Sequence, residues 1–302
     1  MKKIAITTTS FGEYDKTPLN NLRSAGLDVI LNPFGRKLTK KETVEICRDA
    51  IGIIAGTEIL DAAVLKELRY LQVISRCGTG LDNIDLNAAG RIGIVVFNTP
   101  NSPTLAVAEL TVGLILNLLR QVSLMDRELH IGVWQKRMGN LLSGKKVGII
   151  GFGRIGRKVS KLLSPFNCEI NYYDIRKDIE RENWVCRIEF NKLLEISDII
   201  TIHISSGDKV LGRDEIRLMK KGSWLINVSR SFAVVENALY KAIKEGHLSG
   251  AAIDVFEQEP YNGSLRELDK VILTPHIGSY AKESRIEMET EAVKNLLNGL
   301  RS

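Results

Sequence analysis

The apolar run Lys145-Lys146-Val147-Gly148-Ile149-Ile150 leads directly into Gly151-Phe152-Gly153-Arg154-Ile155-Gly156, and an acidic residue, Asp174, closes the next apolar run eighteen residues after Gly156. Each glycine has a separate task. Gly151 allows a tight turn, Gly153 lets the backbone approach a pyrophosphate, and Gly156 lets the following helix pack closely on the strand. That helix, amphipathic through Ile155, Val159, Leu162 and Leu163, offers its positive N-terminus to phosphates. Glycine-rich turns can serve packing alone. Here a strand precedes the glycines, a helix follows, and Asp174 stands where its carboxylate can accept hydrogen bonds from adenosine ribose hydroxyls. The spacing predicts a dinucleotide site in mid-chain. Asp174 would repel a 2′-phosphate, so the cofactor expected is NAD, with Arg176 and Lys177 leaving NADP as the minor alternative.

The same alternation of short apolar runs and helical patterns extends in both directions. Upstream it includes Ile4-Ala5-Ile6, Val29-Ile30-Leu31, Ile51-Gly52-Ile53-Ile54, Val73-Ile74 and Ile94-Val95-Val96-Phe97. Downstream, strands are expected at 147–150, 169–173, 198–203, 223–228, 250–254 and 271–273. This is the rhythm of parallel sheets with crossover helices. The fold class expected is α/β, with two Rossmann-like parallel-sheet domains. The dinucleotide domain, residues 99–280, is inserted into a flavodoxin-like substrate domain formed by 1–98 and 281–302. Prolines and capping residues in Asn98-Thr99-Pro100-Asn101-Ser102-Pro103 mark the first crossing. A final helix over 281–299 returns to the first domain, and a boundary crossed twice permits hinge closure over a substrate.

The helix predicted from residue 104 to 119 is apolar almost all round, so most of its faces should be buried. Its single charge, Glu109, is expected to be a hydrogen-bonded anchor. This helix and the polar arm with Trp134 that follows suggest a surface one subunit does not cover, and hence a homodimer.

With 302 residues, 44% hydrophobic and 26% charged, the chain has room for two globular domains and no disordered composition. Its net charge of +6 is dispersed, which points away from nucleic acid. Cys47, Cys77, Cys168 and Cys186 have no paired spacing, so neither a metal site nor a disulfide framework is expected, and a cytoplasmic location fits. The apolar run at the N-terminus is too short for a signal peptide, and no stretch approaches a membrane span.

Chemistry on a nicotinamide substrate needs a proton shuttle and a group that orients the substrate. Of four histidines, His130 and His247 lie in polar stretches and read as surface residues. His203, at the end of a strand, fits a cofactor contact and a structural role equally. His276 follows Val271-Ile272-Leu273-Thr274-Pro275 and is the candidate acid/base. A carboxylate should hold its ring. Glu259 and Glu257, both just past a strand, compete for that role. Arg230, after Trp224-Leu225-Ile226-Asn227-Val228-Ser229, could grip a carboxylate through two parallel hydrogen bonds.

Several motifs in order then resemble one family. They are Ser75-Arg76-Cys77-Gly78-Thr79-Gly80-Leu81-Asp82-Asn83-Ile84-Asp85, Val107-Ala108-Glu109-Leu110-Thr111, the glycine motif, Ile226-Asn227-Val228-Ser229-Arg230, Ala252-Ile253-Asp254-Val255-Phe256 with Glu259-Pro260, and Thr274-Pro275-His276-Ile277-Gly278. Over essentially its whole length the chain is similar to the D-isomer-specific 2-hydroxyacid dehydrogenases, most of all their short phosphoglycerate dehydrogenase-like members. The resemblance implies a hydride transfer between NAD(H) and C2 of a small D-2-hydroxy or 2-keto acid, with 3-phosphoglycerate among the candidates. It implies catalysis by Arg230, Glu259 and His276, with Glu259 rather than Glu257 as the partner of His276. The implied cofactor contacts are Gly151, Gly153, Arg154, Ile155, Gly156, Asp174, His203, Val228 and Asp254, the last at the nicotinamide amide. Arg76, Cys77, Gly78, Thr79 and Gly80 are implied to bind substrate, the loop amides cradling its carboxylate.

Three departures bear on substrate and cofactor. Ser231-Phe232 stands where the family usually has glycines, so either the loop bends away or the pocket narrows. The segment Ile204-Ser205-Ser206-Gly207-Asp208 replaces a longer proline-containing loop and bears on cofactor affinity. Ala55-Gly56-Thr57-Glu58 lacks the arginine that phosphoglycerate dehydrogenases tend to carry for the substrate phosphate. The rival readings are a glyoxylate or hydroxypyruvate reductase, and a catalytically weak NAD(H)-sensing interaction protein similar to the corepressors of this family.

Overall fold

The computed structural model describes residues 2–179, 182–205 and 210–301. The chain divides into two compact units, Met1–Pro103 with Ser279–Ser302, and Thr104–Gly278.

The first unit is a five-stranded parallel sheet in the order β2-β1-β3-β4-β5, built from β1 (Lys2–Ile6), β2 (Leu27–Leu31), β3 (Ala50–Ala55), β4 (Val73–Arg76) and β5 (Val95–Asn98). Its helices are α1 (Thr17–Ser24), α2 (Lys40–Cys47), α3 (Ala62–Glu67) and α4 (Leu86–Arg91), together with the C-terminal helix Lys282–Gly299. Central strands buried on both faces read as continuous apolar runs, and Ile4, Ile6, Ile53, Ile54 and Ile74 are fully buried. Each such side chain stabilises the unit by about 1.5–3 kcal/mol. Local capping sets the helix starts. Thr39 Oγ1 accepts from the Glu42 amide and the Glu42 carboxylate accepts from the Thr39 amide, while Asp61 and Asp85 cap α3 and α4. The C-terminal helix packs back on this sheet, where the Ser75 hydroxyl donates to the Ala292 carbonyl at 2.8 Å.

The second unit begins with α5 (Thr104–Arg120) and α6 (Val122–His130). A seven-stranded parallel sheet follows, comprising β6 (Lys146–Ile150), β7 (Glu169–Tyr173), β8 (Cys186–Arg187), β9 (Ile199–Ile202), β10 (Trp224–Asn227), β11 (Gly250–Ile253) and β12 (Val271–Leu273) in the order β12-β11-β10-β9-β6-β7-β8. Helices α5 and α7 (Arg154–Leu163) cover one face; α8 (Phe190–Ile196), α9 (Arg213–Leu218) and α10 (Glu236–Lys244) cover the other. The C-terminal helix of the first unit is therefore α11. The edge strand β8 has no counterpart in the sequence reading, because two exposed residues carry no periodicity.

Helix α5 buries Ala108, Thr111, Leu114, Ile115, Leu118 and Leu119, but a stripe through Leu105, Glu109 and Gly113 is open. Glu109 lies on this open stripe of the single chain: a spacing of four residues keeps it beside Leu105 and Gly113, on the face turned away from the sheet. Among the described residues no single helix is long and apolar enough to cross a membrane.

Candidate active site

Across the second sheet, in the order β12-β11-β10-β9-β6-β7, the segments leaving the C-terminal strand ends carry His276, then Asp254 with Glu259, then Arg230, His203, Gly151 and Asp174. Neighbouring strands are about 4.8 Å apart, so proton-transfer candidates and ribose candidates occupy opposite ends of one edge. The winding direction reverses between β9 and β6, the position at which open α/β sheets bind ligands. A cavity of about 410 Å³ bounded by Leu118, Leu124, Arg127, Trp224 and Val271 lies at the other edge of these strands and holds none of these residues.

The glycine turn is shaped for a close ligand. Gly151 has φ +90°, and a Cβ there would come within 2.7 Å of the His203 carbonyl oxygen. A Cβ on Gly156 would overlap the Gly151 carbonyl, so helix and turn pack together only without one. Beside Gly153 the space is open, with an arginine nitrogen 3.8 Å from the Cβ position. Gly153 caps α7 without a side-chain hydrogen bond, which leaves the first amides of the helix facing outward. Arg154 is exposed at the first helical position, and Ile155 packs against the core.

Asp174 closes the turn from the next strand. Its carboxylate accepts from the Phe152 amide at 2.7 Å, the Arg176 amide at 2.9 Å and the Arg176 guanidinium at 3.2 Å. Burial works to raise its pKa, but these hydrogen bonds outweigh burial and hold the carboxyl below its usual range. His203 is different. Burial drives its pKa down to about 3, so the ring is neutral. Its Nε2 meets the Thr201 hydroxyl at 2.9 Å, and its Nδ1 is buried with no hydrogen-bond partner among the described residues. The side chain of Val228 belongs to the core, so any cofactor contact there falls to the main chain.

At the other end, Glu259 holds His276. Nδ1 lies 3.0 Å from both carboxylate oxygens, an arrangement that fixes the tautomer with Nδ1 donating and Nε2 left for exchange. The Glu259 carboxylate also accepts from the Phe256 amide at 3.2 Å, and the Glu259-Pro260 bond is cis. The His276 side chain is 48% exposed, so Nε2 is within reach of a ligand. Its backbone has φ 54°, a left-handed conformation that a non-glycine residue adopts only under restraint.

Asp254 supplies that restraint. It is fully buried, and its carboxylate accepts from the Thr274 hydroxyl at 2.6 Å and from the amides of Ile277 and Gly278 at 2.8 and 2.9 Å. Burial raises its pKa against these hydrogen bonds. The sequence reading set Asp254 at the nicotinamide; the structure gives it the further task of tying down both sides of the His276 turn. Arg230 has extended backbone, and its guanidinium donates to the Ser229 carbonyl at 2.9 Å. Ser231–Ala233 form a short 3₁₀ turn with Phe232 38% exposed, so the bulky side chain lies at the surface. Within Ile204–Asp208, Ser206, Gly207 and Asp208 lie outside the described residues.

In the first unit the Arg76–Gly80 loop follows β4. Two of its amides are engaged: Cys77 donates to the Ala55 carbonyl at 2.9 Å and Gly78 to the Thr99 hydroxyl at 2.7 Å. The expectation that the whole Cys77–Gly80 loop cradles a carboxylate narrows to Thr79 and Gly80. The Arg76 guanidinium donates to the Cys77 carbonyl and lies across Gly78, where a side chain would collide with it. Glu58, 1% exposed, accepts from the Thr7 hydroxyl and the Gly56 amide. Burial raises its pKa, with Arg76 as an opposing charge.

A family model described as D-isomer specific 2-hydroxyacid dehydrogenase, NAD binding domain, matches residues 112–278. A glyoxylate reductase of Thermofilum pendens is 41% identical over 274 residues, covering 86% of this chain and 81% of the relative. The chain belongs to the D-isomer specific 2-hydroxyacid dehydrogenase family. A D-3-phosphoglycerate dehydrogenase of Methanocaldococcus jannaschii is 38% identical over 276 residues, 87% of this dehydrogenase but only 52% of the relative, so the chain spans about half that protein's length. The crystal structure of the TT0316 protein from Thermus thermophilus superposes with a TM-score of 0.91 at 32% identity, covering 99% of this dehydrogenase and 97% of that chain.

As a member of this family the protein is an NAD-dependent oxidoreductase of hydroxy and keto acids. The residues fit the cofactor: a turn that excludes Cβ atoms, outward amides at the α7 N-terminus, and an ionised carboxylate in line with them. The sequence reading missed several residues of the dehydrogenase. Arg285 and Glu289 on α11 form a buried pair at 3.1 Å; Arg285 donates to the Ser10 hydroxyl and Glu289 accepts from the Gly12 amide. Cys77 lies beside this pair, and burial pushes its thiol up to about 11. His247, read as a surface residue, is half-buried, with Nε2 2.9 Å from the Ile216 carbonyl. One signal was available: the arginine and glutamate of Arg285-Ile286-Glu287-Met288-Glu289 recur at a spacing of four among buried apolar positions.

Proposed function

We propose that this enzyme reduces a small, unphosphorylated 2-keto acid such as glyoxylate or hydroxypyruvate to the D-2-hydroxy acid, with His276 as the proton donor. The carrying observation is the Glu259–His276 pair at 3.0 Å on a turn anchored by Asp254. Nicotinamide, when bound, supplies the hydride that reaches C2. His276 Nε2 gives its proton to the carbonyl oxygen as the C–H bond forms, and Glu259 stabilises the imidazolium beforehand and is left beside a neutral ring. Arg230 grips the substrate carboxylate and offsets charge growing on the carbonyl oxygen. In the oxidative direction the same histidine accepts the alcohol proton.

Charge supports the unphosphorylated class. Near the strand ends of the first unit, Arg285 pairs with Glu289 at 3.1 Å with both side chains buried, and Arg76 has Glu58 as an electrostatic neighbour. A phosphate dianion gains little where cations are already balanced by carboxylates. The phosphoglycerate dehydrogenase relative keeps 3-phosphoglycerate as the second reading. His276→Asn should lower turnover by about a thousandfold while leaving the NADH dissociation constant within about twofold. Turnover within tenfold of the parent would remove His276 from the mechanism.

We infer also that the protein is a homodimer. Ile131, Trp134, Met138 and Leu141 are 77%, 81%, 91% and 72% exposed in a segment that follows the open stripe of α5, an apolar surface of the kind a second copy covers. Gel filtration with light scattering should give twice the chain mass, and Trp134→Glu should shift it to the monomer; a parent protein at monomer mass would refute the dimer. A reducing, cytoplasmic location is proposed on the four free cysteines.

A further inference from the structure

Resting on the reading of Glu259 and His276 as the proton-transfer pair, we propose that Tyr261 is a positioning residue for that pair: bonded to Glu236, it straps the turn that carries Glu259 to the helix leaving the neighbouring strand. The Glu259 side chain is 38% exposed, and the Phe256 amide donates to it at 3.2 Å, the long end of hydrogen-bond distances. A carboxylate so placed holds its direction through the chain on either side of it. Two aromatic rings close that chain. Phe256 and Tyr261 stack with centroids 4.2 Å apart and planes 25° from parallel, which pins the two ends of the turn together with Glu259 between them. Phe256 belongs to the apolar core of the second unit, and Tyr261 packs against the same cluster. A Cβ on Gly263 would come within 2.4 Å of the Tyr261 hydroxyl, so glycine there lets the chain fold over the phenol.

The hydroxyl then fixes where the stacked rings sit. It donates to Glu236 Oε1 at 2.6 Å and accepts from the Leu265 amide at 3.1 Å. Burial and the Glu236 carboxylate push its pKa up to about 12, so it stays a donor at neutral pH. Glu236 is a firm anchor. It opens α10, on the segment that carries Arg230, and the preceding Val235 amide donates to the Leu211 carbonyl at 2.9 Å. The strap therefore joins the segments leaving two adjacent strands, β10 and β11, each of which bears a catalytic side chain. One turn along α10, Tyr240 makes a similar bond to Glu267 at 3.0 Å, but that pair is exposed and lies beyond the turn of Glu259. It is a built-in control for a tyrosine–glutamate bond on the same helix.

Steady-state turnover of glyoxylate and of 3-phosphohydroxypyruvate with NADH tests the strap through a double-mutant cycle on kcat. Glu259→Gln should lower kcat about a hundredfold. Tyr261→Phe, which keeps the stacked ring, and Glu236→Ala, from the other side of the bond, should each lower kcat about tenfold, with KM and the NADH dissociation constant within about twofold. Glu236→Gln keeps an acceptor for the hydroxyl and should stay within about threefold of the parent, and Tyr240→Phe within about twofold. Because Tyr261 acts through Glu259, adding Tyr261→Phe to Glu259→Gln should lower kcat by less than about a further twofold, whereas a general loosening would repeat the whole loss. A kcat within about twofold of the parent in both Tyr261→Phe and Glu236→Ala, or an undiminished loss in the Glu259→Gln background, would overturn the strap and leave the proton-transfer pair intact. Parental kcat in Glu259→Gln, or a parent inactive on both acids, would overturn the pair and the strap with it.

Discussion

At the carboxyl edge of the seven-stranded sheet the charged groups are held but reachable, His276 and Glu259 being 48% and 38% exposed. At the corresponding edge of the five-stranded sheet Glu58, Arg285 and Glu289 are 1%, 5% and 2% exposed, and their hydrogen bonds run to backbone, to the Thr7 and Ser10 hydroxyls and, for Arg285 and Glu289, to each other. The first arrangement suits proton transfer, which requires a group that can change charge in contact with a ligand. The second suits shape: buried, paired charges lock the Thr7–Gly12 and Gly56–Glu58 loops without leaving net positive charge for a second anion. The comparison teaches that the seven-stranded sheet holds its charged groups where a ligand can reach them, whereas the five-stranded sheet spends its charged groups on fixing loops.

The sharpest way to break this contrast, after His276 itself, is to remove the anchor of the catalytic turn. Asp254→Ala deletes the acceptor for Thr274, Ile277 and Gly278 and frees His276 from its left-handed backbone, so turnover should fall about ten- to a hundredfold. NADH binding, followed by fluorescence, should fall much less if the loss comes from the turn. Equal losses in both would return Asp254 to a role at the nicotinamide alone.

His203 tests the rigid middle of the same edge. Its folded pKa of about 3 lies below the unfolded value of 6.5, so its contribution is complete above pH 6.5 and is lost as pH falls from there toward 3. At pH 5 the loss from this group is about 2 kcal/mol. Denaturant unfolding at pH 7 and pH 5 should show a smaller acid-induced loss in His203→Gln than in the parent. The same loss in both proteins would mean the ring is not held neutral by burial.

Much of the catalytic sheet was legible in the sequence because its elements are local. Strand, glycine turn and helix follow within a dozen residues at 146–156, and the apolar runs predicted β6, β7 and β9 to β12 by composition alone. The Glu259–His276 pairing needed the family motif, since spacing left Glu257 equally eligible. What stayed hidden depends on contacts between residues far apart in the chain. Asp254 reaches the 277–278 amides across more than twenty positions, and Arg285 meets Ser10 from the opposite end of the chain. The open stripe of α5 through Glu109 stayed hidden for a different reason. An almost uniformly apolar helix gives no phase, so which stripe faces outward is decided by the sheet it packs on.

The division of labour between the two sheets is tested most directly by following NADH absorbance with purified enzyme and a panel of glyoxylate, hydroxypyruvate, pyruvate and 3-phosphohydroxypyruvate. The account predicts kcat/KM for glyoxylate or hydroxypyruvate at least about a hundredfold above that for the phosphorylated acid, because Arg285 and Arg76 of the first unit already face carboxylates. A preference for 3-phosphohydroxypyruvate would contradict it.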